Sequence, residues 1–415
     1  MSYEAKTLVK ESSTARSLLS NKGFLLLLVV SIVSGLSFSI YLLTETWYVI
    51  NELNQQPWLG VVLIATTLPR VLFMSIGGVY ADKWNRTNIM FYSLLIRGVL
   101  LTSMAIVFYF GLLDVYSLLI FATIFGLLDA FFVPANQSLL PQIVSKEQLM
   151  RGNSILQSTN QTVLIIGPII GGLLIETVSY QYIFPIVAFF LITSSVIVKF
   201  IKYEDESNQN QKQSSYRDFL EGLHYVKTSK LIFTLMCVSM VLNFFIAGPG
   251  SLALPLIAND VLSGTALHLS ALETSIALGM IGGAFLIGIL NPRRKRGFIV
   301  LGQLFFLGIA MVLLSLVTTL WQGIIVFALI GLGITAGDIP IKTMIQEKTD
   351  PQKIGRVMGL MSTASSGLIP LSFGVTSLVI SFNISISQIL LVCGSFVICF
   401  FLIILLLSKK LRSVD

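Results

Sequence analysis

Positive charge in this chain is confined to every second gap between long apolar runs, and that alternation limits what it can fold into. The gaps at residues 51–57, 111–116, 176–182, 259–274, 317–322 and 381–387 contain neither Lys nor Arg, while the intervening gaps hold nearly all of the 27. A chain that threads a bilayer repeatedly keeps its Lys and Arg in cytoplasmic loops. The pattern therefore predicts a polytopic membrane protein with the basic gaps inside. Only 11% of the residues are charged and 55% are hydrophobic, against about 25% charged in a soluble domain. A net charge of +7 would suggest nucleic acid in a soluble protein. Spread over alternate loops, it fits membrane topology and anionic lipid headgroups instead, so lipid is an expected partner and nucleic acid is not.

A helix needs roughly 20 apolar residues to cross the hydrocarbon. By that measure twelve spans are predicted: Phe24–Ile50, Trp58–Tyr80, Ile89–Phe110, Tyr116–Ala135, Ser154–Ile175, Ile183–Phe200, Leu231–Leu256, Ser275–Leu290, Phe298–Leu316, Gly323–Ile341, Val357–Ile380 and Gln388–Leu407. Backbone groups in lipid must be satisfied within the segment, which selects helices. The expected organisation is an N-terminal cytoplasmic segment 1–22, a six-helix bundle 23–201, a central cytoplasmic loop 202–230, a second bundle 231–407 and a tail 408–415, with both termini inside. The first apolar run is too long for a signal-peptide core and reads as a span. In the central loop, Tyr216, Phe219, Leu220 and Leu223 share one helical stripe, which predicts a short amphipathic helix. Gly126, Pro134 and Arg151 recur as Gly331, Pro340 and Arg356, the offset expected of a duplicated half.

Cys237, Cys393 and Cys399 lie inside apolar runs, and His224 and His268 are isolated. No metal site, disulfide or cofactor is expected. Nucleotide-driven transport finds no phosphate-binding loop.

Three motifs stand out. Gly78, Asp82 and Arg86 follow the second span with the spacing Gly-x-x-x-Asp-x-x-x-Arg. The glycine admits a neighbouring helix, the carboxylate can reach that helix's N-terminus, and Arg86 can pair with a nearby carboxylate. The alternative is a solvated turn that obeys the charge rule. Gly167, Pro168, Gly171 and Gly172 form a Gly-Pro-x-x-Gly-Gly run in the fifth span, with Val163 one turn earlier. The proline should bend the helix and the glycines should permit close packing. Between the fourth and fifth spans lie Phe131, Phe132, Pro134, Ala135, Asn136 and Gln137, followed by Pro141, Glu147, Gln148, Leu149, Asn153, Ser154 and Gln157.

The first motif resembles the cytoplasmic loop motif of the major facilitator superfamily, and the second resembles its exporter motif. The third, together with Glu221, Gly222, Leu223, Tyr225 and Gly355, Arg356, Val357, is similar to the macrolide-efflux and enterobactin-exporter branch of the drug:proton antiporters. The resemblance covers essentially the whole chain. It implies two six-helix bundles, export, a monomer, and a latch in which Gly78, Asp82 and Arg86 meet the start of the eleventh helix near Gly355–Met358.

An ionisable residue at mid-span costs roughly 2.5–3.5 kcal/mol on insertion scales. Glu45, Arg70, Arg97, Asp129 and Asp338 are the candidates. Arg97 and Asp129 sit at similar depth in adjacent antiparallel spans and are expected to pair. Glu45 and Arg70 are expected to line a cavity, with Glu45 the first candidate for proton carrier and Asp129 the second. The alternative is that these pairs only tie helices together. Asp338, one turn from Lys342, is expected to form a surface pair with it. Asn153, Gln157, Asn160 and Gln161 share a face of the fifth helix; they either line a polar path or bond to neighbouring helices. Phe244 and Phe245, just before Gly248-Pro249-Gly250 in the seventh span, are expected either to offer an aromatic wall beside a kink or only to pack against neighbouring helices.

One charge moving down 100 mV releases about 2.3 kcal/mol, and one pH unit adds about 1.4. A single proton therefore sustains roughly a hundredfold solute gradient or more. The functional expectation is a secondary transporter in the cell membrane that exchanges protons for a small drug-like or natural-product amphiphile, antibiotic or siderophore, by rocking of the two bundles. A facilitator or importer of the same fold is the alternative. A polytopic lipid-modifying enzyme would need a His, Asp or Ser cluster at an interface loop, which the sequence lacks.

Overall fold

The computed structural model describes residue 18 and residues 20–145, 147–202, 223–290, 292, 295–350 and 353–407, with Asp82 and Leu407 described for backbone alone. Among these, every regular element is helical and twelve helices are long and apolar enough to cross a membrane. They are α1 (Lys22–Asn51), α2 (Leu59–Lys83), α3 (Arg86–Tyr109), α4 (Val115–Ile143), α5 (Leu149–Thr177), α6 (Tyr180–Val198), α7 (Lys230–Val261), α8 (Ala266–Leu290), α9 (Arg296–Leu314), α10 (Leu320–Lys348), α11 (Ile354–Ser381) and α12 (Ile386–Leu407).

Local chemistry sets where the helices begin. Asn85 caps α3 by accepting from the Asn88 amide, Asp114 caps α4 by accepting from Ser117, and Thr319 and Gln322 form a reciprocal capping box on α10. Several helices outrun their apolar cores. α4 continues through Pro134 and Pro141 to Ile143, α10 runs to Lys348, and α8 starts nine residues before the expected Ser275. Hydropathy measures the hydrocarbon, whereas helical hydrogen bonds continue into the interface. In α7, π turns at Asn243–Ala247 and Ile257–Val261 interrupt the α-helix. Pro249 cannot donate to the carbonyl one turn before it, and the neighbouring Phe244 carbonyl accepts from Ser372 of α11. Phe245 stacks on Phe396 at 4.1 Å, so this aromatic pair packs within its own bundle. Of the amphipathic stripe, Tyr216, Phe219 and Leu220 lie outside the described residues; residues 223–228 are helical.

The chain divides into two compact units. The first contains α1 up to Thr44, α2 from Ala65, and α3 to α6. The second contains α7 to α12 together with Glu45–Ile64, the hairpin that joins α1 to α2. That hairpin is held within the second unit by Gln56, which donates to Asp260 at 2.9 Å, and by Ser377, which donates to the Pro57 carbonyl.

Each unit repeats one packing frame. Gly126 of α4 seats on the Thr66 carbonyl of α2, and Gly331 of α10 seats on the Ile276 carbonyl of α8. Gly98 of α3 meets Ala188 and Ile192 of α6, and Gly308 of α9 meets Gly394 and Ile398 of α12. At all four seats a Cβ would collide with a facing helix, so only glycine permits the approach. Pro134 and Pro340 lie inside the paired helices α4 and α10, and Arg151 and Arg356 occupy the first turns of α5 and α11. The weak sequence repeat is thus a repeat of backbone contacts.

Candidate functional site

Because the Gly126 seat draws α2 and α4 together, side chains one turn further on meet. Arg70 lies four residues after Thr66, and Asp129 three after Gly126. Arg70 Nε sits 3.1 Å from Asp129 Oδ2. Arg97, on the neighbouring α3, places Nη2 2.6 Å from Asp129 Oδ1. Two guanidiniums thus share one carboxylate. Arg97 is 1% exposed and Asp129 5%, whereas the Arg70 side chain is 37% exposed. Aromatic rings wall the cluster. Arg97 lies over Phe125 at 4.9 Å and Phe132 at 5.3 Å, and Arg70 over Phe38 at 5.9 Å. Tyr41 stacks on Phe125 at 4.2 Å. Arg97 Nε has no acceptor among the described residues. A cation over a ring face gains about 0.5–2 kcal/mol, which offsets part of the cost of an unshared positive charge.

The expected Arg97–Asp129 pair is present. Arg70 joins that pair, because the Gly126 seat aims it at Asp129. Glu45 is fully buried and engaged, and belongs to the second unit.

The remaining sequence candidates fall in varied settings. Gly167 packs on Ser39 of α1, and a Cβ at Gly171 would lie 3.5 Å from Ile40. Pro168 and Gly172 are buried beside them within one continuous α5. Val163, which stands one turn earlier, lies 3.1 Å from where a Cβ at Gly35 of α1 would sit; the small residue sits on the partner helix. Asn160 is exposed and Gln161 half-buried. Neither lines the hollow of about 390 Å³ between α1 and α5, which is bordered by Ser154, Ser158, Thr159 and Thr162. The Ser154 and Thr162 hydroxyls donate to carbonyls of their own helix, both at 2.9 Å, so this row presents a largely apolar wall.

At the first motif, the close approach belongs to Gly77, which seats on the Ala130 carbonyl. A Cβ at Gly78 would meet no atom within 4 Å. The Asp82 side chain lies outside the described residues. Arg86 is buried and donates through Nε to Ser138 Oγ of α4 at 3.2 Å.

Two acidic residues depart from expectation. Asp338 forms no ion pair with Lys342 among the described residues; it lines a small hollow with Asn243 and Gln303, while Lys342 is exposed. Glu273, assigned by hydropathy to a loop, is inside α8. It is half-buried and has no hydrogen-bond or ionic partner among the described residues. The lipid-exposed row of α8 is Leu267, Leu278, Ile281 and Phe285, and at 100° per residue Glu273 lies on a different side.

A profile of the Major Facilitator Superfamily matches residues 27–374. The chain belongs to that superfamily. Macrolide efflux protein A of Streptococcus pyogenes is 25% identical over 389 residues, covering 92% of this chain and 95% of that protein. Its namesake in Enterococcus faecalis is 27% identical over 310 residues, covering 73% and 95%. The multidrug efflux pump Tap of Mycolicibacterium fortuitum is 23% identical over 358 residues, covering 84% and 86%. The fold matches the crystal structure of the nucleoside transporter NupG with a TM-score of 0.75 at 14% identity, covering 93% of this chain and all of that one. A POT family transporter matches with a TM-score of 0.73, also at 14% identity, covering 95% and 97%. The superfamily member described here is therefore a multi-pass membrane transporter and not an enzyme.

Proposed function

We propose that this transporter exports an amphiphilic antibiotic-like solute across the cell membrane in exchange for protons, with its basic loops and both termini in the cytoplasm. The observation that carries export is the near full-length similarity to efflux proteins named for macrolides and multiple drugs. The first unit suits such a solute. Phe38 offers a half-buried ring, backed by the buried rings of Tyr41, Phe125 and Phe132, and Arg70 remains partly open beside Asp129. An oxygen-rich amphiphile can pack on Phe38 and accept from the Arg70 guanidinium. A carboxylate-rich siderophore would use the same guanidinium more strongly, and export of that class is the second reading. Glu45 and Asp129 are the candidate proton carriers, and Gly78, Asp82 and Arg86 the candidate latch.

The test uses inverted membrane vesicles, a radiolabelled macrolide, and a pH gradient of either sign. Uptake driven by an acidic lumen, and reversed when the gradient is reversed, is the expected result. Equal equilibration under both gradients would establish a facilitator and remove the proton. In Glu45→Gln, proton-driven uptake at the wild-type rate would remove Glu45 from the mechanism.

A further inference from the structure

The second unit contains a polar cluster that the charge triad does not explain. Gln303 of α9 is 5% exposed, and its Nε2 donates to the Ile334 carbonyl of α10 at 3.2 Å. Its Oε1 meets no donor among the described residues. Space for this amide exists because residue 337 is glycine; a Cβ there would overlap the Gln303 side chain. Asn243 opens the first π turn of α7, and its Nδ2 donates to the Ser239 carbonyl at 2.9 Å. Asp338, one turn beyond Ile334, is the third polar group. Together these three border a hollow of about 50 Å³ whose other walls are apolar.

Each NH₂ group gives one hydrogen to a backbone carbonyl and keeps a second, and the Gln303 side chain is also within hydrogen-bond reach of the Asp338 carboxylate. Gln303 Oε1 is still left without a donor among the described residues, at a hollow that it shares with that carboxylate. A water molecule has about 30 Å³ to itself in the liquid, so the space suits one small guest. A buried acceptor without a donor is costly, and so is a carboxylate within a membrane span; a guest that carries positive charge or a proton relieves both.

Comparison of the two units isolates this site. By the glycine seats, Leu307 stands where Arg97 stands and Ile334 where Asp129 stands, while Gln303 and Asp338 correspond to Ser93 and Val133. The polar cluster of the second unit is thus one turn, about 5 Å, nearer the basic end than the triad of the first.

We propose that the Asn243–Gln303–Asp338 hollow binds one monovalent cation: a proton taken up by the Asp338 carboxylate and donated to Gln303 Oε1, or a sodium ion held by the same oxygens. Of the charged groups nearby, Lys342 on the same helix is exposed and acts on Asp338 through its charge without an ion pair, and Arg296 of α9 is bound by Glu347 at 2.6 Å. Lys230 lies at the far start of α7 and Asp260, bonded by Gln56, at its opposite end, with Cys237 between them. Glu273 of α8 is some four turns from the level of Asp338. Arg356 begins α11 and is engaged, and α12 brings only Cys393 and Cys399. As a cation site the proposal stands alone; as the coupling site it rests on the export reading above.

The test reads the melting temperature of the purified full-length protein in NaCl against choline chloride at equal ionic strength, over a pH series, since a ligand that binds only the folded state stabilises it. Sodium binding predicts a saturable rise with Na⁺ that is absent in Asp338→Asn and Gln303→Leu. Proton binding predicts no Na⁺ response, and a pH dependence that differs between wild type and Asp338→Asn by the uptake of one proton. An Asp338→Asn protein that tracks wild type in both series overturns the site. If Asp338→Asn does not fold, Gln303→Leu, which keeps the carboxylate, carries the same comparison. In vesicles, Asp338→Asn should still exchange labelled macrolide at equilibrium but accumulate it at least tenfold less; full accumulation overturns coupling through this residue. Wild-type vesicles that fail to respond to any cation gradient would refute the export reading while leaving the melting comparison decisive for the site.

Discussion

Removing either partner of the Arg97–Asp129 pair should not cost the same, and the difference follows from Arg70. Asp129→Asn leaves Arg97 buried beside a second guanidinium with no carboxylate to balance either. Breaking a buried pair in this way costs about 3–5 kcal/mol. Arg97→Leu instead leaves Asp129 with Arg70, 3.1 Å away and open on one side. That variant loses the ring contacts to Phe125 and Phe132 but also removes the Nε that lacks an acceptor, for a net loss of about 1–2 kcal/mol. The two variants should therefore differ by roughly 2–3 kcal/mol. At about 2–4 °C per kcal/mol for a unit of this size, Asp129→Asn should melt roughly 5–10 °C below Arg97→Leu when helix content is followed by circular dichroism in detergent. The double variant Arg97→Leu, Asp129→Leu should be less stable than wild type by less than the sum of the single losses, since the two sites are coupled. Equal melting of the two single variants, or an additive double variant, would refute the shared-carboxylate account.

Gly126→Val and Gly331→Val should each abolish folded, monodisperse protein on size-exclusion chromatography, because the added atoms meet backbone carbonyls; Gly78→Ala should elute and melt as wild type. Glu273→Gln should raise stability by about 1 kcal/mol, read as a higher melting temperature, because it replaces an unpartnered carboxylate in a membrane helix. At the start of α4, the Ser117 amide and hydroxyl hold the Asp114 carboxyl below its ordinary range. A depressed pKa means the cap is fully present above the ordinary aspartate range and is lost as pH falls through the folded value. Exchange of the Ser117 amide should therefore lose protection on acidification, and Asp114→Asn should flatten that dependence.

Span number, the equivalence of the halves and the Arg97–Asp129 pair were all legible because each depends on periodicity or depth along a helix. What the sequence did not disclose depends on rotation about a helix or on its neighbour. Arg70 pairs with Asp129 because a glycine three residues before the carboxylate seats on another helix's carbonyl; pattern reading found Gly126 but not its seat. Gly77 and Gly78 are adjacent, and only lateral packing separates the one in contact from the one that is free. Val163 departs from the exporter motif, and its compensation, Gly35, is more than a hundred residues away. Glu273 escaped notice because His268 and Glu273 lowered the local hydropathy, which placed a helical segment in a loop. Asp338 was read against Lys342 on its own helix, while the groups that matter, Gln303 and Asn243, come from two others.

The repeated glycine seats make the two halves interchangeable as scaffolds even where their chemistry has diverged. Met280, Leu307 and Ile334 occupy the stations that Arg70, Arg97 and Asp129 hold in the first unit. Grafting the charged trio onto those stations would place it on helices joined by the same glycine seats, so the chain supplies its own template for building a second charge centre, or for moving the first from one half to the other.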